Sequence, residues 1–330
     1  MALQKIEKKK QEDKNSGAEP VPDLAAVYKS CRIDLTQEVP HPKILLSIGT
    51  DSHNNHIPIC TEGEFSCIVA PSKTKKSFFK SLLCASYMGG SSNLKAPHIT
   101  GHRVEEDYIY DIDTEQGKYY ARRTFKRTEI IVGAPYKNYE PIYTRNLTPV
   151  QRVQLIDWMF TKGPHAGKIK LAFIDGIADL LNDANNLVLS NEVASYLLKW
   201  TDELKIHICV VIHKTFGNDK ATGHLGSSVT KKAETLIFID PLTDKDGNII
   251  NFNTVKVRCG VSRGKMFDDF LMSIDINGLP YTHDQQAPVK AAPAKGKENP
   301  QQLEAFGKDA KKTNKSDSTD SKKPHDDVPF

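Results

Sequence analysis

The stretch "EFSCIVAPSKTKKSFFKS" (residues 64–81) consists of an apolar run, a short polar turn and a segment that begins with two lysines and a serine. The apolar run predicts a strand over 65–70, and the segment after the turn predicts a helix over 76–88. A strand, a turn and a helix in this order are the layout of a phosphate-binding loop. The turn contains no glycine, however, so the sequence leaves open whether it is such a loop or a lysine-rich surface turn.

The turn matches the pattern G-x-x-x-x-G-K-[ST] only in its last two positions, because residues 70–77 are A-P-S-K-T-K-K-S. Lys76 and Ser77 take the positions of the phosphate-binding lysine and the magnesium-binding hydroxyl. Ala70 and Lys75 replace the two glycines, which permit unusual backbone angles and close approach of a phosphate. We therefore expect Lys75 to supply charge where a standard loop relies on bare amides. Taken alone, the segment fits a solvated basic turn equally well.

Apolar strand-like runs alternate with helix-like segments on both sides of this turn. Predicted strands cover 43–48, 65–70, 107–113, 128–133, 170–175, 207–213, 235–240, 253–260 and 270–275, and predicted helices cover 76–88, 116–125, 148–161 and 190–203. Several central strands are nearly continuous apolar runs, as expected where helices cover both faces of a sheet. The consecutive strands after residue 235, separated by the turn "DKDGN" (244–248), predict an antiparallel edge. The fold class is therefore predicted to be α/β with a largely parallel sheet.

The composition divides the chain of 330 residues into a core and two tails. Residues 1–24 and the lysine-rich linker 284–325 have few large apolar side chains and are expected to be disordered, which leaves 25–283 as the folded core. The net charge of +4 is too small to indicate nucleic acid by itself. Six cysteines without a C-x-x-C pair predict free thiols in a reducing compartment. With neither a signal peptide nor a membrane-spanning run, we expect a cytoplasmic protein of a bacterium or of a host cell.

Three polar residues follow or end predicted strands, where parallel sheets bind ligands. Glu115 follows "YIYDID", Asp175 ends "LAFID", and His213 ends "HICVVIH". A glutamate at such a place can orient and deprotonate an attacking water, and an aspartate there can hold Mg²⁺ through water. Each feature is weak alone, because buried strands often end in Asp and a lone His is more often structural than catalytic.

The joint order of these parts resembles RecA-like ATPases over about residues 40–280, and most closely the branch of hexameric plasmid and replicative DNA helicases. The segments that carry the resemblance are the altered phosphate loop, "IYDIDTEQG", "IHKTFGNDKATGHLGSSVTKKAETLIFI" (212–239) and "RCGVSRGK" (258–265). The resemblance implies a three-layer RecA-like fold with a mostly parallel central sheet and antiparallel strands at its C-terminal edge. It also implies ATP and Mg²⁺ as cofactors.

Carried over by position, the resemblance implies a role for each site residue. Glu115 would be the catalytic base, Asp175 the acid that holds Mg²⁺ together with Ser77, and His213 the sensor of the γ-phosphate. Arg263, or less readily Lys265, would reach the ATP of a neighbouring subunit, which implies a ring or filament. The implied nucleotide-binding residues are Ala70, Pro71, Ser72, Lys73, Thr74, Lys75, Lys76, Ser77 and Phe78. The missing glycines leave open whether ATP is hydrolysed or only bound.

The segment "KTFGNDKATGH" (214–224) joins cations and an aromatic residue between glycines, directly after the sensor strand. Composition alone favours a plain surface loop, but the position suits a contact with single-stranded DNA that responds to the γ-phosphate. No base-reading motif is visible, so the binding is expected to be independent of sequence. The predicted DNA-binding residues are Lys214, Phe216, Lys220, His224, Lys231 and Lys232, the last two at the start of a predicted helix.

The final residues, "PHDDVPF", place two aspartates before an apolar end. They resemble the C-terminal tip of bacterial single-stranded DNA-binding proteins, which implies recruitment of proteins that dock on such tips. The alternative is an ordinary solvated acidic tail. The residues concerned are Asp326, Asp327, Val328, Pro329 and Phe330.

Three functions compete at this point. The first is a DNA-dependent ATPase, helicase-like or recombinase-like, that acts on single-stranded DNA in replication or recombination. The second is a single-stranded DNA-binding or mediator protein without motor activity on the same fold. The third is a nucleotide-gated regulator that makes no contact with DNA.

Overall fold

The computed structural model describes residues 23–89, 95–215 and 217–284. The linker beyond Asp284, the acidic tip at 326–330, Phe216 and all but the last two residues of the predicted N-terminal tail lie outside the described residues. In chain order the elements are α1 (Leu24–Cys31), β1 (Ile44–Thr50), β2 (His56–Thr61), β3 (Phe65–Ala70), α2 (Lys76–Met88), β4 (Ile99–Gly101), β5 (Tyr108–Asp113), α3 (Lys118–Val132), β6 (Tyr139–Tyr143), α4 (Pro149–Thr161), β7 (Ile169–Asp175), a 3₁₀ turn (Ile177–Leu180), α5 (Leu187–Leu204), β8 (His207–His213), α6 (Gly223–Thr230), β9 (Thr235–Thr243), β10 (Ile249–Ser262), β11 (Phe270–Ile274) and β12 (Pro280–His283).

Nine strands form one sheet in the order β12-β11-β10-β9-β3-β8-β7-β5-β6. The six strands from β9 to β6 run parallel to their neighbours, whereas β10, β11 and β12 add to β9 as antiparallel strands. The predicted α/β class, with a mostly parallel sheet and antiparallel strands from the C-terminal part of the core, is therefore confirmed. A separate antiparallel sheet has the order β2-β1-β4.

The side chains of β3 show why helices pack on both faces of the large sheet. All six residues of this strand are buried, and alternate side chains point to opposite faces. Phe65, Cys67 and Val69 pack into a core with α4, α5 and α6, whereas Ile68 and Ala70 pack into a second core with α2 and α3. The result is three layers, with the sheet between two sets of helices.

The predicted strand over 128–133 is wrong, because these residues belong to α3 or cap it. The buried side chains of α3, which include Ala121, Phe125, Thr128 and Ile131, recur at helical spacing up to the end of the helix. Gly133 ends the helix with φ +87°, in the left-handed region that favours glycine. A short apolar run, "IIV", resembles a strand when it is taken without the preceding turns of the helix.

Other differences are smaller. The strands β2, β4, β6 and β12 and the helices α1 and α6 were not predicted. Within α5, Val193, Leu197 and Trp200 are buried, whereas Tyr196 is 40% exposed. All six cysteines are free, and all except Cys31 are buried. Among the described helices, none combines the length and apolar character needed to cross a bilayer.

Candidate functional site

The phosphate-loop candidate lies between the end of β3 and the first turn of α2. Lys73 and Lys75 have φ of +62° and +64°, which places both in the left-handed region. Such a conformation costs a non-glycine residue roughly 1–2 kcal/mol. Lys75, which stands where the sequence pattern has its second glycine, thus adopts a conformation that glycine adopts without cost. The turn precedes a helix of 13 residues, whose N-terminal partial positive charge favours an anion.

Lys76, His213 and Glu115 form a chain of contacts beside this turn. The Lys76 ammonium donates to the Pro71 carbonyl (3.1 Å) and to His213 Nδ1 (3.0 Å), and His213 Nε2 lies 3.3 Å from Glu115 Oε1. Because an ammonium only donates, Nδ1 is the acceptor and the Nε2–H points to the carboxylate. The hydrogen bond with His213 lowers the pKa of Glu115, and burial lowers the pKa of Lys76. Glu115 is thus a carboxylate at neutral pH, as a general base must be.

Asp175 ends β7 next to a buried group of charges that the sequence did not reveal. Lys80, one turn after Lys76 on α2, lies 2.6 Å from Asp111 Oδ1 and 3.2 Å from Asp175 Oδ2. The second contact lacks hydrogen-bond geometry, so Asp175 Oδ2 has no hydrogen-bond partner among the described residues. Burial alone would lower the pKa of Lys80, but the two carboxylates outweigh it and raise that pKa. Lys80 therefore remains a cation.

The turns that carry Glu115 and Asp175 are tied together by Thr114 and Gly176. The Thr114 N–H donates to the Asp175 carbonyl (3.1 Å), and its hydroxyl, with one proton to donate, lies within hydrogen-bond distance of the carbonyls of Asp175 (2.8 Å) and Gly176 (2.9 Å) and of Asp179 Oδ2 (2.9 Å). Gly176 has φ +101°, and a Cβ there would lie 2.2 Å from Thr114 Oγ1. Only glycine fits this contact, so it fixes the distance between the two turns.

The loop and the strand ends line one cleft of about 320 Å³ at the carboxyl edge of the sheet. Parallel register explains their meeting, because Ala70 pairs with His213 and Asp113 pairs with Asp175. The lining residues are Ser72, Lys73, Thr74, Lys75, Lys76, Ser77, Phe78, Glu115, Gln116, Asp175 and His213. The structure therefore brings together the predicted loop residues Ser72–Phe78 and the predicted strand-end residues Glu115, Asp175 and His213.

The donor set of this cleft suits Mg²⁺ better than a transition metal. Ser77 and Asp175 offer a hydroxyl and a carboxylate, which are hard oxygen ligands, and Asp175 Oδ2 lacks a hydrogen-bond donor among the described residues. Within the same residues no group of three His, Cys, Asp or Glu side chains is arranged to hold a metal ion. A magnesium ion here would therefore keep several waters and rely on the phosphates for further ligands.

A second cavity, of about 250 Å³, adjoins this cleft through Phe78, which lines both. The Arg127 guanidinium lies over the Phe78 ring, 3.6 Å from its centroid, and Asn277, Gly278 and Leu279 close the far side. Burial, and to a smaller extent the nearby Arg123, lower the pKa of Arg127 to about 10. Among the described residues no carboxylate forms an ion pair with Arg127, so an anionic group of a ligand would balance its charge.

Arg263 and Lys265 lie away from the cleft. Ser262 pairs with Thr235 at the start of β9, which places the residues after it at the amino edge of the parallel strands. There Arg263 donates to Glu64 and to the Lys232 carbonyl (2.9 Å), and Lys265 contacts Asp51. Arg263 does not take part in the site of its own chain.

The predicted DNA-binding residues divide between the two edges of the sheet. Lys220 and His224 are exposed in the segment after β8, at the carboxyl edge. Lys231 and Lys232 do not begin a helix as predicted, because they follow α6. They lie near Arg263, whose side chain contacts the Lys232 carbonyl.

Lys214, expected as a free cation, is buried and paired. Its ammonium lies 2.9 Å from Asp219 Oδ1 and 2.7 Å from Asp240 Oδ1, and Arg258 contacts the same two carboxylates. Both cations lie over the ring of Phe238, at 4.6 and 4.3 Å from its centroid. In this conformation Lys214 joins Asp219 to Asp240 of β9 and is not available to a phosphate.

No protein-family model matches the chain, and a search of curated proteins found no significant match.

Proposed function

We propose that this protein binds ATP with Mg²⁺ in the cleft at the carboxyl edge of the sheet and hydrolyses it in response to single-stranded DNA. The observation that carries the proposal is the contact chain Lys76–His213–Glu115 beside a helix N-terminus in a cleft of about 320 Å³. A positive phosphate site, a polar relay and a carboxylate base are the parts that phosphoryl transfer requires. The RecA-like architecture remains part of this proposal.

The proposal gives a role to each residue of the cleft, which its surroundings support. Lys76 would leave His213 and bind the β- and γ-phosphates, which frees His213 to contact the γ-phosphate. Glu115 would accept a proton from the attacking water, since its carboxylate is already ionised. Ser77 and Asp175 would hold Mg²⁺, which supplies neutralisation of phosphate charge.

The DNA contact is proposed for the segment 214–224, which follows His213 directly. Lys220 and His224 are exposed there, and a change at His213 on binding of the γ-phosphate would reach Lys214 as the next residue. Arg263 is proposed to serve the site of a neighbouring copy, in a ring or filament. The acidic tip at 326–330 is proposed to recruit proteins that dock on the tips of single-stranded DNA-binding proteins.

The test is ATP turnover with and without an oligothymidylate, for the wild type and for Glu115→Gln. Turnover that rises with DNA and falls at least about 100-fold in the variant supports the proposal, because a lost general base costs about 10²–10⁴-fold. Nucleotide binding, measured with a fluorescent ATP analogue, should be retained in Glu115→Gln. Equal background turnover in both proteins would contradict hydrolysis.

A second function is a single-stranded DNA-binding or mediator protein that binds nucleotide without useful turnover. The observation that favours it is the loop itself, in which lysines occupy strained positions at 73 and 75 in place of a glycine-rich turn. Tight DNA binding with background turnover in the test above selects this function. Nucleotide binding without any DNA binding selects a regulator instead.

A further inference from the structure

Helix α3 carries an unusual concentration of positive charge. Five of its 15 residues are basic and one, Glu129, is acidic. Five of the exposed residues on one side of the helix are here named the basic face: Lys118, Tyr119, Arg122, Arg123 and Lys126; the apolar Ile130, 53% exposed, continues the same side toward the C-terminal end. The opposite side packs into the core through Ala121, Phe125 and Thr128. Helical spacing thus separates a buried stripe from a cationic one.

The charges of the basic face are mostly not neutralised within the described residues. Lys126 pairs with Glu129 at 2.7 Å, whereas no described carboxylate lies within ion-pair distance of Lys118, Arg122 or Arg123. Surface lysines and arginines scattered among acids need no explanation, but a row without counter-charges attracts a polyanion.

A hollow of about 360 Å³ adjoins the basic face on the side of the edge strand β6. Charged side chains of Lys118, Arg122, Lys126 and Glu129 line it, together with Pro141, Tyr143 and the largely buried rings of Phe125 and Tyr139. On the face itself, Tyr119 is 73% exposed. Cations next to exposed aromatic rings are the combination with which proteins bind single-stranded nucleic acid, because phosphates pair with the cations and bases stack on the rings.

We propose that the basic face of α3 is a second binding site for single-stranded DNA, separate from the segment 214–224. Arg122 and Lys126, one helical turn apart, bind successive phosphates, and a base enters the hollow or stacks on Tyr119. This inference rests on the proposed action on single-stranded DNA and names a surface for it. An acidic peptide is the competing occupant, but the exposed ring on the face and the length of the cationic row favour nucleic acid.

The hollow is also connected to the nucleotide cleft by direct contacts. Tyr139, which lines the hollow, donates its hydroxyl to Asp111 Oδ2 (2.7 Å), and Asp111 Oδ1 binds Lys80 (2.6 Å). Lys80 in turn lies 3.2 Å from Asp175. DNA at this site therefore has a contiguous route by which to affect the magnesium-binding carboxylate, and Tyr139→Phe interrupts the route at its first hydrogen bond.

The experiment measures binding of the full-length protein to a fluorescent oligothymidylate of about 20 nucleotides, longer than a typical site of 4–16 nucleotides. Fluorescence anisotropy is recorded without nucleotide at several salt concentrations. The test variant is Arg122→Glu with Lys126→Glu, and the control is Lys168→Glu with Lys199→Glu, at exposed positions away from α3. Each double reversal lowers the formal net charge by four, from +4 to 0. Thermal unfolding followed by circular dichroism verifies that each variant is folded.

We expect the α3 variant to bind DNA at least about tenfold more weakly, with a log–log salt dependence shallower by about 1.4, and the control to stay within about twofold of the wild type. Tyr119→Ala, which leaves the charges intact, should weaken binding by about five- to 100-fold if a base stacks there. Equal binding by the α3 variant, the control and the wild type overturns the second site and leaves the proposed function standing. No DNA binding by the wild type overturns both.

A peptide with the sequence DDVPF, added as competitor, tests the other occupant. Two outcomes overturn the assignment to nucleic acid. In the first, the peptide displaces DNA from the wild type at concentrations far below those at which the same amount of added salt does so. In the second, the peptide binds the wild type tightly and loses this binding in the α3 variant, while DNA binding is unchanged. Binding of the fluorescent ATP analogue is measured in parallel for all variants, because Tyr119, Arg122 and Lys126 also line the cavity that adjoins the nucleotide cleft at Phe78.

Discussion

The Lys80 ammonium lies 2.6 Å from Asp111 Oδ1, and neither side chain is exposed to solvent. The other oxygen of Asp111 accepts from the Tyr139 hydroxyl at 2.7 Å, so this carboxylate is fully engaged. A buried charge without its partner costs several kcal/mol, because it loses hydration and gains nothing in return. The pair therefore fixes α2, which follows the phosphate-loop candidate, against β5, which leads to Glu115.

Lys80→Met should destabilise the protein by about 3–5 kcal/mol, since it leaves Asp111 and Asp175 without their cation. Adding Asp111→Asn to Lys80→Met removes one of the two unpaired charges and keeps an acceptor for Tyr139. This double variant should recover a large part of the lost free energy of unfolding. Urea unfolding of the two single variants and the double variant measures this coupling. Lys170→Met, at a partly exposed lysine 3.0 Å from Glu62, is the control and should cost less than about 1 kcal/mol. Strict additivity of the two core substitutions would contradict the pairing.

Lys75→Gly tests whether the phosphate loop is strained and whether its extra lysine matters. Because φ is +64° at this position, glycine relieves strain of roughly 1–2 kcal/mol, offset by its greater freedom in the unfolded chain. We expect the free energy of unfolding to stay within about 1 kcal/mol of the wild type, whereas Lys75→Val should lose clearly more. Affinity for ATP should fall by up to about fivefold in low salt, as for the loss of one partly exposed charge. An increase in affinity would show that Lys75 hinders the phosphates.

Asp175→Asn should weaken the effect of Mg²⁺ on nucleotide binding. In the proposed function this carboxylate holds the ion through water, and removal of such an outer ligand costs about 10- to 100-fold in metal affinity. Titration of Mg²⁺ against the protein with the bound fluorescent ATP analogue measures this shift, and binding in the presence of EDTA should change little. Asp202→Asn, at an exposed aspartate of α5, is the control. Identical magnesium titrations for Asp175→Asn and the wild type would remove Asp175 from the metal site.

The parallel part of the fold was predictable because its strands are buried on both faces and appear in the sequence as apolar runs. Strand-end positions then predicted Glu115, Asp175 and His213 as neighbours of the loop. Short strands such as β4, with three residues, leave too weak a pattern. The run "IIV" failed as a strand because the preceding helical turns decide its conformation, through burial of Ala121 and Phe125.

Charges that pair across the sequence were not predictable from local patterns. A lysine one turn into a helix, such as Lys80, is normally solvated, and its burial follows only from the carboxylates that parallel pairing brings beneath it. One signal was present, since Asp111 and Asp113 alternate within an otherwise apolar strand and buried carboxylates require a cation. The prediction that Lys214 is a free cation was wrong for the same reason, because its partner Asp240 lies on a later strand of the sheet.

Asp219→Asn should release part of the segment 214–222. Asp219 is 60% exposed, contacts both Lys214 and Arg258, and its loss leaves these cations with Asp240 alone. If DNA binding requires Lys214 to leave its carboxylates, affinity for the oligothymidylate should rise by about two- to fivefold, in keeping with the energy of one exposed ion pair. Asp183→Asn, another exposed loop aspartate, is the control. Weaker binding by Asp219→Asn would show that the paired conformation is the one that binds DNA.

His207 should make the protein less stable in mild acid. The ring is fully buried, with Nδ1 2.9 Å from the Thr61 carbonyl and Nε2 2.9 Å from Ser66 Oγ, an arrangement that the neutral ring satisfies. Burial lowers the pKa of His207 from 6.5 to about 4. Between these values the unfolded chain binds a proton that the folded chain does not bind. The free energy of unfolding is therefore highest above about pH 6.5 and declines as the pH falls toward 4. The total loss is about 3 kcal/mol for a shift of this size.

His207→Asn keeps a donor for Thr61 and cannot be protonated, so its free energy of unfolding should change less over this pH range. Glu234, whose Oε2 lies 3.8 Å from His207 Nδ1, acts in the opposite direction because burial raises its pKa, but it is present in both proteins. Urea unfolding from pH 4 to 7 gives the slope of the free energy of unfolding against pH for each protein. The difference between the slopes of the wild type and His207→Asn is the contribution of His207, at most about 1.4 kcal/mol per pH unit. His41→Asn, at an exposed histidine, should follow the wild type. Parallel curves for His207→Asn and the wild type would mean that the ring is protonated in the folded protein without penalty.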